Sequence, residues 1–367
     1  TGKDCGLEER APMCGVPYHS CEAYIARLVA KGHKVAVCEQ MEPPSAGKSL
    51  VKRDIVRIIT PGTVIEDTML DEGVNNYLSA ICVAGDEVGI CFTDASTGEC
   101  YAASLPADNP QQHITNELCR FRPKELLVES SLLKKMPELT EFLQNNFGGV
   151  VTERTKQSFD TAFTEQRVLT HFDVISTENL GVMSGSAVSA ALGAVLEYLY
   201  ETGVSGNISV NHVNIYTDSQ YMRLDMTALR NLEIIETMRT KSKKGSLLWV
   251  VDKTKTAMGK RLLRSWITKP LLNIAEINLR QNAVEELMSD TILRGETVES
   301  LIGVRDIERT MTKVVYGTGS AKDLRTVAET AEKFPRIKEL LSGAKCNKLK
   351  GLYSNIDTLE DISSLIL

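Results

Sequence analysis

The sequence predicts a multidomain chain in which two mixed α/β units precede an all-α unit. Three observations carry this. At 367 residues the chain is longer than a single hydrophobic core usually serves, since such cores stop growing at about 250–300 residues. Short β-branched runs punctuated by Gly and Pro fill the first half. From about residue 207 the apolar spacing becomes that of helices and stays so.

Residues 1–62 read as a small α/β unit. Ser20 is placed to cap a helix, and Tyr24, Ile25, Leu28 and Val29 fall on one helical face. Gly32 supplies a left-handed stop. Strand-like KVAVCE (34–39) and RDIVRIIT (53–60) follow, and Pro61-Gly62 makes a turn.

Residues 63–205 read as a second α/β unit. Strands are predicted at 77–83, 88–94 and 99–104, with turns at Gly85-Asp86 and Thr97-Gly98. A helix at 111–120, a strand at 125–129, a helix near 131–145 and a strand near 149–152 come next. The long helix 184–201 carries small residues that permit close packing on a sheet. Three antiparallel strands followed by αβ alternation suggest an RNase H-like layer.

Residues 206–367 begin with short strand-like runs (HVNIY, YMRLD) and continue as helices alone. A helix at 226–240 is expected to bury Leu229, Leu232, Ile235 and Met238. A second, 256–267, carries Met258, Leu262, Leu263 and Trp266 and stops at Pro270. Asn273 and Glu276 suggest a capping box for a helix at 274–288. Further helices are expected near 304–315, 320–334, 335–342 and 356–367.

Composition narrows the function. Apolar residues at 43% and charged residues at 25% describe an ordinary globular protein. No apolar run approaches the ~20 residues of a membrane span, and the first ten residues are too polar for a secretory signal. Nine cysteines without a CxxC suggest free thiols in a reducing cytoplasm. The five histidines are too dispersed for a local metal motif. Both ends read as cut, so a longer parent protein is expected.

The net charge is −6, yet residues 239–269 hold ten Lys or Arg against the single acid Asp252. Lys241, Lys243, Lys244, Lys253, Lys255, Lys260, Arg261 and Arg264 therefore read either as a phosphate-backbone contact or as a solvated helix face. The loop PMCGVPYHS (12–20) is stiff and exposes backbone. It suits contact with a nucleic-acid groove, with Met13 as an apolar wedge. On residues alone it is more simply a strand-to-helix connection. Asp94, with Glu99 and Glu129 as partners, is where an RNase H-like nuclease would hold metal, but no spacing brings the three together. No GxxxxGK[ST] loop occurs: SAGKS and AMGKR lack the first glycine at the required offset.

Several blocks carry a resemblance: PMCGVPYHSCEAYIARLVAKGHKVAVCEQ, VRIITPGT, RNLEIIETMR, GSLLWVVDKTKTAMGKRLLRSWITKPL and VRDIERT with GTGSAKDL. In this order they resemble bacterial MutS, a family of DNA mismatch-recognition proteins. The resemblance implies a mismatch-binding domain, an RNase H-like connector without an active site, and a helical core with the start of a lever. It implies DNA contacts at Lys3 and at Pro12, Met13, Cys14 and Gly15. It makes Lys241 to Arg264 a DNA or interdomain surface. It implies mispaired double-stranded DNA as ligand, MutL as a partner of the connector, and homodimerisation of the full-length parent. ATP and Mg belong to that parent's ATPase domain, and no cofactor or metal is expected in this chain. The family's mismatch-reading Phe-x-Glu motif precedes the first matched block. Localisation is expected to be cytoplasmic, on the nucleoid. Two other readings compete: a nuclease using Asp94, and a pure scaffold that docks MutL.

Overall fold

The computed structural model describes residues 2–3, 11–12, 15–17, 20–42, 51–203, 207–217 and 220–367. The N-terminal unit opens with β1 (Gly2–Lys3) paired antiparallel to β2 (Ala11–Pro12). Helix α1 (Cys21–Ala30) follows, then a hairpin of β3 (Val35–Gln40) and β4 (Arg53–Ile59). Its core is small: Val29, Ile59 and Val64, with Ile25, Val35 and Val37 against them. Two strands offer little surface to α1, so the expected apolar face is narrower. Tyr24 and Leu28 are 46% and 44% exposed. Ser20 stands at the N-cap without a side-chain cap bond. Gly32, at φ +85°, ends the helix as expected.

The second unit is a six-stranded sheet. Strands β5 (Leu78–Ala84), β6 (Glu87–Asp94) and β7 (Glu99–Pro106) form an antiparallel meander. Helix α2 (Pro110–Phe121) leads to β8 (Glu125–Glu129), parallel to β5. Helices α3 (Ser130–Lys135) and α4 (Pro137–Asn145) lead to β9 (Val150–Arg154), parallel to β8. The single helix expected over 131–145 is thus two. Pro137 has no N–H to donate and restricts Met136, so the helix breaks there. Helix α5 (Thr161–Phe172) was not expected, because its polar sequence gives no clear apolar stripe. Helix α6 (Ala187–Thr202) covers one face of the sheet. Helices α2, α3 and α4 cover the other, where Phe92 stacks on Phe121 at 3.9 Å between ring centroids. Strand β10 (Asn214–Ile215) lies parallel to β7 and sets the order β10-β7-β6-β5-β8-β9. HVNIY therefore completes this sheet, whereas it was expected to open the helical unit.

Close approach of α6 depends on glycine at two points. A Cβ on Gly89 would lie 2.0 Å from the Ala187 carbonyl, and one on Gly193 would lie 2.4 Å from the Thr164 oxygen. Gly89→Ala is expected to lower the unfolding free energy by about 3 kcal/mol or more in urea titration, because backbone must move. Gly351→Ala, at a helical site with open space around it, is expected to raise it by about 0.5–1 kcal/mol. Equal effects at the two sites would contradict the packing.

The helical unit comprises α7 (Met226–Asn231), α8 (Leu247–Val251), α9 (Ala257–Thr268), α10 (Ile274–Ser289), α11 (Thr291–Leu301), α12 (Ile307–Val315), α13 (Ala321–Ala331), α14 (Phe334–Leu340), α15 (Asn347–Asn355) and α16 (Glu360–Ile366). Helix α7 is far shorter than the expected 226–240. Glu233 adopts φ +49°, and its carboxylate takes the Met238 N–H at 2.7 Å, which diverts the chain. Leu232 and Met238 consequently face solvent, at 62% and 54% exposure. Asn273 caps α10 through the Ala275 N–H, without the expected box. Thr256 caps α9 through the Gly259 N–H.

Candidate nucleic-acid interface and interdomain junctions

Lys3 and Pro12 lie on the short β1–β2 ladder, in register with Ala11 and Gly2 respectively. Met13 and Cys14 lie outside the described residues. Gly15 is exposed, and a Cβ there would meet nothing within 4 Å. The described backbone of this segment is open to an approaching ligand at Gly15.

The basic cluster divides in two. Lys241, Lys243, Lys244, Lys253 and Lys255 are exposed on the loops around α8. Lys243 pairs with Asp252 at 2.7 Å. Lys260, Arg261 and Arg264 sit on α9 and turn towards the sheet unit. Lys260 reaches the Glu72 carboxylate at 3.7 Å. Arg261 is only 4% exposed and donates to Asp306 at 2.5 and 2.9 Å, to Glu308 at 2.5 Å and to the Glu72 carbonyl at 3.2 Å. Arg264 lies in the cleft between α9 and the end of α2 with Arg122, and burial lowers its pKa. A guanidinium saturated by two carboxylates has little left for a phosphate, so Arg261 serves the junction.

The three carboxylates weighed as a nuclease site do not converge. Asp94 is fully buried and accepts from the Asn75 amide, the Asn76 N–H, the Ser96 N–H and the Ser96 hydroxyl, at 2.6–3.1 Å. Glu99 lies opposite it across β6–β7. Burial is the main cause that raises the Glu99 pKa, with Glu308 and Asp94 adding to it. Glu129 is at the other end of the sheet, one residue beyond Val128, which pairs with Ile81. Five residues of strand separate its level from that of Asp94, roughly 16 Å. Among the described residues, no group of three His, Cys, Asp or Glu side chains is arranged to hold a metal ion. Asp94 spends its lone pairs on structure, and the three acids are not brought to one site.

Two further groups hold the units together. Glu125, fully buried at the start of β8, accepts from Thr60 Oγ1 at 2.5 Å, Gly62 N at 3.1 Å, Thr152 Oγ1 at 2.6 Å and Tyr198 OH at 2.7 Å. Lys34 Nζ lies 3.3 Å away. Lys269, just past α9 and 9% exposed, inserts its ammonium between sheet and helices, 3.6 Å from the Phe121 ring centroid and 4.5 Å from that of Tyr101. Burial pushes it down to about 7.

Comparison with known proteins places this architecture. MutS domain I matches residues 1–68, MutS domain II residues 76–213 and MutS domain III residues 227–366. The chain is 43% identical over its whole length to the DNA mismatch repair protein MutS of Ruminiclostridium cellulolyticum, 42% to that of Acetivibrio thermocellus and 41% to that of Caldanaerobacter subterraneus. The chain belongs to the MutS family. It spans about two fifths of the length of these relatives, 42% in each of the three.

Within this MutS chain, domain I matches the hairpin unit, domain II the six-stranded sheet and domain III the helices. One Phe-x-Glu triplet occurs in the described residues of domain II, Phe163-Thr164-Glu165 on α5, but Glu165 is occupied by Ser184 Oγ at 2.5 Å and Gly185 N at 3.0 Å. Residues 1–68 contain no phenylalanine. Sequence reasoning missed Glu125, Lys269 and Arg309. Their signal was weak: the first of two acids flanking the apolar centre of ELLVE, a lysine before a helix-stopping proline, and the second of two arginines in VRDIERT. Among the described residues no helix is long and apolar enough to cross a membrane.

Proposed function

We propose that this chain is the DNA-contacting and connecting part of a DNA mismatch repair protein. The observation that supports this is the ordered match of MutS domains I, II and III together with about 40% identity across the chain. In this reading the segment of Lys3, Pro12, Met13, Cys14 and Gly15 meets the minor groove of mispaired duplex DNA. In the full-length protein bending is cheapest where pairing is already weak, so a kinked mispair is the ligand favoured by that protein, whereas this chain by itself supplies contacts that do not discriminate. The sheet unit is an RNase H-like connector whose acids serve structure, and it is the surface offered to MutL. The helical unit is the core with the start of a lever. Homodimerisation and ATP hydrolysis with Mg belong to the full-length protein, and this chain hydrolyses no ATP by itself. The exposed lysines 241, 243, 244, 253 and 255 are a secondary phosphate-facing surface.

Single substitutions test the assignment of contacts. Lys3→Ala is expected to weaken duplex binding and reduce the slope of log affinity against log salt by about 1. Arg261→Gln is expected to leave that slope unchanged while lowering stability, because its partners are protein groups. A salt slope that drops with Arg261→Gln and not with Lys3→Ala would reverse the assignment.

A further inference from the structure

The segment that joins β4 to β5 is fastened at every stage of its course. At its start, the Thr60–Thr63 turn sits on the Glu125 carboxylate, and a Cβ on Gly62 would lie 2.8 Å from Glu125 Cβ. At its end, the Asn76 side chain donates back to the Pro61 carbonyl at 2.9 Å, while Asn75 and the Asn76 N–H bind Asp94. Between these points the helical unit takes hold. Lys313 on α12 pairs with Asp67. Arg309, one turn before it, forks to two backbone carbonyls, Asp71 at 3.0 Å and Val74 at 2.8 Å. Arg261 takes the Glu72 carbonyl between them. Arg57 of β4 holds Glu66 from the other side.

Arg309 is 3% exposed. Its two hydrogen-bonding Nη groups are spent on the joining segment, and its Nε has no partner. A buried guanidinium directed at main-chain carbonyls grips the path of the chain, whatever side chains that path carries. These bonds tie α12 to the backbone that runs from β4 into β5.

We propose that residues 60–76 are a coupling strap, and that Arg309 is the positioning residue through which the helical unit sets the placement of the N-terminal hairpin unit. The consequence for DNA rests on the reading that the N-terminal unit contacts the duplex. The consequence for the strap does not.

The test is amide hydrogen exchange on the whole 367-residue chain and its Arg309→Lys and Arg309→Met variants. Lysine keeps the charge but is a single point donor that cannot fork to both carbonyls. Exchange is expected to rise about tenfold at 64–76 and, beyond it, in β3 and β4, with β6, β7 and α6 unchanged. A rise confined to 71–76, or one spread evenly over the sheet, would overturn the proposal as a local or general packing loss. Should the methionine variant not fold, the lysine variant decides on the same criterion. Binding of the same variants to a ~30 bp duplex separates the two readings. If exchange spreads to β3–β4 while duplex affinity is unchanged, the strap stands and the DNA role of the N-terminal unit falls. If exchange does not spread, the strap falls whatever the DNA result.

Discussion

Glu125→Ala is expected to lower the unfolding free energy by about 3–5 kcal/mol, a loss typical of breaking a buried charged network from one side. Four donors converge on this carboxylate from the strap, β9 and α6, and Lys34 adds a charge from the turn before β3. Removing the acceptor leaves hydroxyls and an amide buried without partners, at about 1–3 kcal/mol each before relaxation. Glu125→Gln keeps the shape and one carbonyl, so it is expected to lose roughly half as much. Urea unfolding followed by circular dichroism measures both. A loss under about 1 kcal/mol for alanine would show that water replaces the carboxylate, contradicting a dry junction.

Lys269→Met is expected to stabilise the chain near neutral pH and to change how stability depends on pH. Unfolded, this lysine keeps its proton to about 10.4. Folded, burial makes it release that proton above about 7. Between these values the unfolded chain binds the extra proton, so the parent gains stability as pH rises, and below 7 the cost of burial is constant. The gap sets a ceiling of about 5 kcal/mol, and loss of the ammonium–ring contacts reduces the net gain at pH 7 to about 2 kcal/mol. The advantage of the methionine variant should shrink steadily from pH 7 to 9.5 and stay level from 6 to 7. A difference that does not change with pH, or a less stable variant at pH 7, would contradict burial of a neutral lysine.

What could be read from the sequence follows from how local each signal is. Strands of the sheet unit were legible to within two residues at their starts because Gly85 and Gly98 mark its turns and alternate residues serve its two faces. Gly32 and Thr256 were legible as helix boundary residues for the same reason. The 226–240 helix failed because the competing signal was tertiary: Glu233 bends the chain, and the Leu247 and Leu248 N–H groups bond back to the carbonyls of Glu233 and Ile234. Helix α5 was hidden by polar residues whose partners lie on α6. At the candidate site, the charge of residues 239–269 was visible, but its division into exposed lysines and a buried Arg261 was not. That division depends on Asp306 and Glu308, some 45 residues further on. Glu125 and Arg309 were opaque for the same physical reason, since Glu125 accepts from groups 27 to 73 residues away and Arg309 donates to carbonyls 235 or more residues away.

We propose that this chain contacts duplex DNA chiefly at the phosphate backbone of the DNA. Fluorescence anisotropy with a ~30 bp duplex, matched or carrying one G·T mispair, across a salt series tests it most directly. With no phenylalanine among residues 1–68 to wedge the stack, the two duplexes should bind with equal, weak affinity that falls steeply with salt. Absence of binding at low salt would contradict the claim outright. A clear preference for the mispair would place discrimination in the Pro12–Gly15 segment itself and contradict the backbone-only account.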